Sequence, residues 1–148
     1  MVVLFFTCNS CVVAVDYEDR IIAFAKQYAK PGDKVAMVAV NVNTGKDDAL
    51  DKMKTRAEKR KFPFPYLYDP SQEIAKAYGA TYTPEFFVLN KDRKVVYMGA
   101  MDDKSPPREP TKLHLEAAVK AALDGKPAAT GETSASAGCK IKFSPKRD

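Results

Sequence analysis

Cys8 and Cys11 stand with two residues between them, in the run Phe6-Thr7-Cys8-Asn9-Ser10-Cys11. Thiols at this spacing serve dithiol–disulfide exchange, form half of a metal site, or sit inert in a core. A tetrahedral zinc site needs four ligands, and the only other Cys and His in the chain are Cys139 and His114, so the inventory permits one such site. Placement favours exchange. Val2 to Phe6 is an unbroken apolar run of strand length, and from Val13 apolar residues recur at helical spacing through Tyr17, Ile21, Phe24 and Tyr28. The pair therefore lies where a strand buried on both faces hands over to a helix. The unpaired N–H groups and positive dipole end at a helix start stabilise a thiolate, and such contexts lower a thiol pKa from ~8.5 to roughly 3.5–7.5. Cys8, the outer member, is expected to be the more exposed and more acidic nucleophile, with Cys11 resolving the mixed disulfide. Asn9 or Ser10 is expected to cap the first helical turn.

The elements that must hold this pair follow from the rest of the chain. The first helix runs from about Cys11 to Lys30 and is stopped by Pro31-Gly32. Val35 to Val40 is a second buried strand, which a right-handed crossover makes a parallel neighbour of the first. Asp47 to Lys61 reads as a charged surface helix with a thin apolar stripe, and Tyr66 to Tyr68 as a short strand after Phe62-Pro63-Phe64-Pro65. Asp69-Pro70-Ser71-Gln72 has the pattern of a helix start, with Asp69 as N-cap and Gln72 reaching back, for a helix that ends at Tyr78 and Gly79. Thr81 to Pro84 must be extended. Glu85 to Leu89 and Lys94 to Met98 form a hairpin about Asn90-Lys91-Asp92-Arg93, Ala100 to Pro110 a loop, and Thr111 caps a last helix ended by Gly125 and Pro127. The domain is expected to span 1–127. From Ala128 to Gly138 the chain is small and polar, a tail or linker, and residues 128–148 carry Cys139, with Ile141 and Phe143 at strand spacing so that the end could still dock.

The chain has 148 residues, enough for one domain with a real core, and a formal net charge of +5. Its basic residues are scattered apart from the Lys52–Lys61 helix and the Lys140–Arg147 tail, and no aromatic-interleaved basic motif marks a nucleic-acid footprint. Three cysteines are too few for a disulfide framework. The apolar start lacks a basic leader and a cleavage site, and it is too short to span a bilayer, which as given points to a cytoplasmic protein. His114 reads as a surface or half-buried residue rather than a general base.

The Cys-x-x-Cys run, together with Tyr66-Leu67-Tyr68-Asp69, Ala77-Tyr78-Gly79-Ala80 and Thr83-Pro84-Glu85-Phe86-Phe87, resembles the thioredoxin-fold redoxin group. That group includes thiol-disulfide oxidoreductases and the related alkyl hydroperoxide reductase/thiol-specific antioxidant proteins. The resemblance covers about Val2 to Leu123. It implies an α/β thioredoxin-like fold, a central mixed sheet flanked by helices, that exchanges disulfides with protein thiols and an external redox partner without metal or organic cofactor. It also implies a cis bond before Pro84, lying against the dithiol, with the Thr83 backbone pairing an extended substrate strand. Relatives carry a leading segment before this point, so a trimmed chain would be exported or periplasmic. Thr7, Asn9-Ser10 and Val12 replace the Trp, Gly-Pro and Pro usual around the motif, which leaves open a role as reductant, oxidant or isomerase. A peroxiredoxin-like thiol peroxidase wants Thr three before its reactive cysteine, and neither Cys8 nor Cys11 has it; a redox-inactive binding module presenting the surface around Pro84 is the third reading. No carboxylate lies on the first strand, so Glu85 is the nearest candidate proton acceptor for Cys11, against the alternative of an exposed strand-end charge. Cys139, in Gly-Cys-Lys-Ile-Lys-Phe, is either an additional resolving thiol or an unpaired tail cysteine.

Overall fold

A computed structural model describes residues 1–134 and 137–145. Residues 135–136 of the polar tail and 146–148, which include the end of the Lys140–Arg147 run, lie outside the described residues.

The central sheet has the order β3-β2-β1-β5-β6. Its strands are β1 (Val2–Thr7), β2 (Ala36–Asn41), β3 (Tyr66–Tyr68), β5 (Glu85–Leu89) and β6 (Val95–Gly99). β1 is parallel to β2, and β2 to β3, while β5 runs antiparallel to β1 and β6 antiparallel to β5. Because side chains alternate across a sheet, Val3 and Phe5 of β1 join Phe86 and Val88 of β5 on one face, under Ile21 and Phe24 of α2 (Glu18–Tyr28) and Leu115, Ala118 and Val119 of α5 (His114–Leu123). Phe6 and Phe87 point to the other face, with Val40 of β2 and Ala75 of α4 (Glu73–Tyr78). Both faces are covered, which is why the β1 run is apolar without alternation. Phe5 and Phe86 stack at 5.2 Å between ring centroids.

The helical boundaries differ from the sequence expectation in four places. The first helix is two, α1 (Val12–Asp16) and α2, with Tyr17 between them sending its hydroxyl to buried Asp102. The helix expected over Asp47–Lys61 opens as a 3-10 turn at Lys46–Asp48, passes through extended Ala49, and becomes α3 (Leu50–Arg60). Gln72 does not reach back to cap α4. It adopts a left-handed φ of 61° and is 1% exposed, while Asp69 Oδ2 accepts the Ile74 N–H and Ser71 Oγ the Glu73 N–H. Thr111 does not cap α5 either, because its N–H and hydroxyl donate to Asp103.

The segment after α5 packs on the sheet. The Met98 N–H donates to Gly131 O and the Thr133 N–H to Met98 O, and Thr133 Oγ1 accepts the Ala100 N–H. Gly99, at φ 138°, is required there: a Cβ would overlap the Thr133 backbone and hydroxyl. Farther on, β7 (Cys139–Lys140) pairs antiparallel with β4 (Tyr82–Thr83) as a second small sheet, and Ile141 is 4% exposed against Val42, Ala75 and Ala80. Backbone pairing anchors a segment whose composition alone offers little core. Among the described residues no helix is long and apolar enough to cross a membrane.

Candidate functional site

β1 ends at Thr7, opposite Asn41 of β2, and delivers Cys8 directly onto the end of the sheet. Cys11 is the N-cap of α1, and its sulfur accepts the Ala14 N–H at 3.4 Å. The helix start therefore serves Cys11, and the expected exposed, acidic Cys8 is not what forms. Cys8 is 2% exposed. Burial pushes its thiol up from the ordinary value, and the Asp48 charge adds to this, while hydrogen bonds from Thr83, Ser10 and the Cys11 N–H oppose it. Cys8 Sγ lies 3.5 Å from Thr83 Oγ1.

The three sulfurs form one cluster around Ala14, and the bond in it joins Cys11 to Cys139, with Cα atoms 5.9 Å apart. Cys8 is the free cysteine. The alternative of an unpaired tail cysteine is thereby replaced, as is a bond between Cys8 and Cys11 in this state. The reason is the pairing of β7 with β4, which sets Cys139 directly opposite Thr83, whose carbonyl oxygen is 3.6 Å from Cys11 Sγ. The Thr83–Pro84 bond is cis, and both residues are buried. Among the described residues no group of three or more His, Cys, Asp or Glu gathers as a metal site, and His114 is half-buried at the start of α5.

Glu85, weighed as an exposed strand-end charge, is 3% exposed. Its Oε2 accepts the Thr81 N–H at 2.8 Å and, more weakly, the Tyr82 N–H at 3.5 Å, so the described bonds tie it to the turn before Pro84 rather than to a sulfur. Burial raises its carboxyl above the ordinary value of 4.5, against the pull of those two amides. A raised native pKa gives stability that is fully present below 4.5 and lost as pH rises through the native value. Glu85→Gln, which keeps an acceptor but carries no charge, is therefore expected to match the wild type in denaturant melts in mild acid and to exceed it near neutrality. A wild-type advantage that grows with pH would contradict this.

The residue that sequence reasoning missed is Asp48. It is 1% exposed and accepts the Asn9 N–H at 2.7 Å, the Ser10 hydroxyl at 2.5 Å and Asn41 Nδ2 at 2.9 Å. Tyr66 donates its hydroxyl to Asn9 Oδ1 at 2.9 Å and accepts from Asn41 Nδ2. Asn9 and Ser10 thus fasten the cysteine loop to β2, β3 and the 3-10 turn and do not cap α1. The available signal was the break of the β2 apolar run at Asn41 followed by Asp47-Asp48. Because the Asp48 charge helps keep the Cys8 thiol protonated, Asp48→Asn is expected to lower the pH midpoint of Cys8 alkylation. It should also cost about 1–3 kcal/mol of stability through imperfectly satisfied donors. An unchanged or higher midpoint would remove Asp48 from the electrostatics of the site.

Beside the disulfide a cleft of about 580 Å³ is lined by Ser10, Cys11, Asn43, Cys139, Lys140 and Lys142, among others. A larger one, of about 840 Å³, lies between the first helices and α3. Its arginines, Arg56 and Arg60, are engaged by Glu18 and Asp19, whereas the smaller cleft is lined by both cysteines of the disulfide.

Comparison with known proteins agrees with this architecture. A sequence model of the AhpC/TSA family matches residues 1–98. An uncharacterized conserved protein from Geobacillus kaustophilus is 37% identical, with a TM-score of 0.87 over 99% of this chain and 78% of its own. A hypothetical protein from Sinorhizobium meliloti 1021 is 36% identical, with a TM-score of 0.87 over 98% of this chain and 80% of its own. A secreted disulfide oxidoreductase from Mycobacterium tuberculosis shares the fold at 16% identity, with a TM-score of 0.57 over 84% of this chain and 80% of its own. No curated protein matches the sequence.

Proposed function

The chain belongs to the AhpC/TSA family of thioredoxin-fold redox proteins, and from that premise we propose that it is a thiol-disulfide oxidoreductase acting on protein thiols through Cys8 and Cys11. The observation that carries this reading is the convergence of both sulfurs on Thr83, whose hydroxyl meets Cys8 and whose carbonyl meets Cys11. In the reduced protein the Cys8 thiolate attacks a substrate disulfide, forming a mixed disulfide and releasing one substrate sulfur. Cys11 then attacks Cys8 Sγ, which forms the Cys8–Cys11 bond and releases the second substrate thiol. An external dithiol resets the pair. The Ala14 N–H at the Cys11 sulfur favours the thiolate that this second step needs.

The backbone edge around Thr83 and buried Pro84 supplies the docking surface for an extended substrate segment. Neither Cys8 nor Cys11 has the Thr three residues earlier that the peroxiredoxin pattern wants before its reactive cysteine, which favours exchange over peroxide reduction. The test is catalysed reduction of a protein disulfide such as that of insulin, with dithiothreitol as the electron source. The expected result is a rate above that of dithiothreitol alone that climbs with pH as Cys8 ionises. A rate equal to dithiothreitol alone at every pH would remove the assignment.

A further inference from the structure

The tail strand holds a position that the exchange reaction itself must use. β7 lies along β4, with Lys140 opposite Tyr82 and Cys139 opposite Thr83, and the Ile141 N–H donates to Thr81 O at 2.9 Å. On its C-terminal side the strand is latched twice. Ile141 fills an apolar slot beside Val42, Ala75 and Ala80, and buried Gln72 sends Nε2 to Val42 O and Lys142 O while its Oε1 accepts the Ser144 N–H. The left-handed backbone at Gln72 is an uncommon conformation for a non-glycine residue, and here it aims the amide at the tail. These contacts fasten the segment independently of any covalent bond. The bond is nonetheless present, to Cys11, and the free sulfur of Cys8 sits in the same cluster.

Three sulfurs gathered in one cluster, one free and two bonded, are the groups that a thiol–disulfide interchange requires. Resting on the reading of Cys8 and Cys11 as the exchanging pair, we propose that Cys139 is a third exchanging sulfur, and that the strand carrying it is a tethered occupant of the β4 edge, released when Cys8 takes over the bond to Cys11. Cys8 loses its proton to solvent and its sulfur attacks Cys11 Sγ. The Cys8–Cys11 bond forms as the Cys11–Cys139 bond breaks, and Cys139 leaves with the electron pair and takes up a proton. One disulfide and one thiol stand on each side, so no oxidant or reductant enters. The Gln72 bonds to Lys142 O and the Ser144 N–H, beyond the released stretch, keep the tail tethered and Cys139 at high local concentration for the return step. Once freed, the strand uncovers an edge for a substrate segment of its own chemistry, an extended peptide with an apolar residue two places after a cysteine.

The test uses the wild-type protein, purified without reductant and incubated over a pH series with neither thiol nor oxidant present. Acid quenching, alkylation of the single free thiol and disulfide mapping then locate the label. Met1 to Arg20 contains no internal Lys or Arg, so tryptic cleavage leaves Cys8 and Cys11 on one peptide and Cys139 on another. The expected result is label on Cys139, with an internal Cys8–Cys11 bond, appearing at a rate that rises about tenfold per pH unit while Cys8 remains mostly protonated. The total stays at one free thiol per chain. Label confined to Cys8 at every pH, in protein that still reduces insulin, overturns the relay and leaves the oxidoreductase reading standing. Failure of the same preparation to reduce insulin overturns the underlying reading instead. In Cys8→Ser no label should reach Cys139 without added thiol, and label there would equally overturn the relay.

Discussion

Cys8→Ser is expected to lose disulfide reduction by at least about a hundredfold, because a hydroxyl that is almost wholly protonated at neutral pH replaces the one sulfur available for attack. The fold should survive the change. Cys8 is packed at 2% exposure beside the Thr83 hydroxyl, and serine fits that space and keeps a hydrogen-bonding partner. Activity and stability are therefore separable in this variant, which makes it a clean reading of chemistry. Insulin reduction measured beside a thermal melt gives both. Near wild-type turnover in a normally folded Cys8→Ser protein would assign the reaction to another sulfur. Loss of turnover accompanied by unfolding would be resolved by Cys8→Ala, which removes the polar atom while leaving a small apolar side chain in an apolar cluster.

Reducing the Cys11–Cys139 bond is expected to produce the largest stability change in the molecule. The bond spans a sequence separation of 128 residues, and constraining a loop of that size in the unfolded chain stabilises by about 5 kcal/mol in the chain-entropy treatment. For a domain of this length that corresponds to roughly 10–20 °C in melting temperature. The effect acts on the unfolded ensemble, so it is present however firmly Ile141 and Gln72 hold the tail in the native state. A Cys8–Cys11 bond would close a loop of only a few residues and restrain the unfolded chain much less. The two disulfide isomers should consequently melt apart, with the tail-linked form higher. Coincident melts for the oxidised protein and the fully reduced protein would contradict the estimate and place the stabilisation elsewhere.

Much of the fold was legible because its determinants are local or periodic. The continuous apolar run of Val2–Phe6 requires cover on both faces, and α2, α4 and α5 supply it. Pro31-Gly32 ends the first helical region, Gly79 ends α4 with a φ of 70°, and Thr81–Pro84 is extended into β4. The places where expectation failed share one feature, which is a polar side chain drawn away from its local role by a distant partner. Gln72 belongs to the tail rather than to its own helix. Asn9 and Ser10 belong to Asp48. Asp48 looked like one more charge on a surface helix until the loop from β1 closed over it.

The sequence by itself determined most of the order of strands and helices, the placement of Cys8 and Cys11 at the strand-to-helix junction and the extended backbone before Pro84, since spacing, apolar period and proline stereochemistry are properties of neighbouring residues. The facing of Thr83-Pro84 onto the cysteines was implied only by the family resemblance. Tertiary structure alone decided which sulfur is bonded, which is buried and which receives the helix N–H. Those outcomes depend on what the fold brings alongside, and here a strand from the far end of the chain is laid on β4. Burial then raises the Cys8 thiol while the backbone at α1 serves Cys11, because desolvation and hydrogen bonding are set by the packed surroundings of an atom and not by its place in the motif.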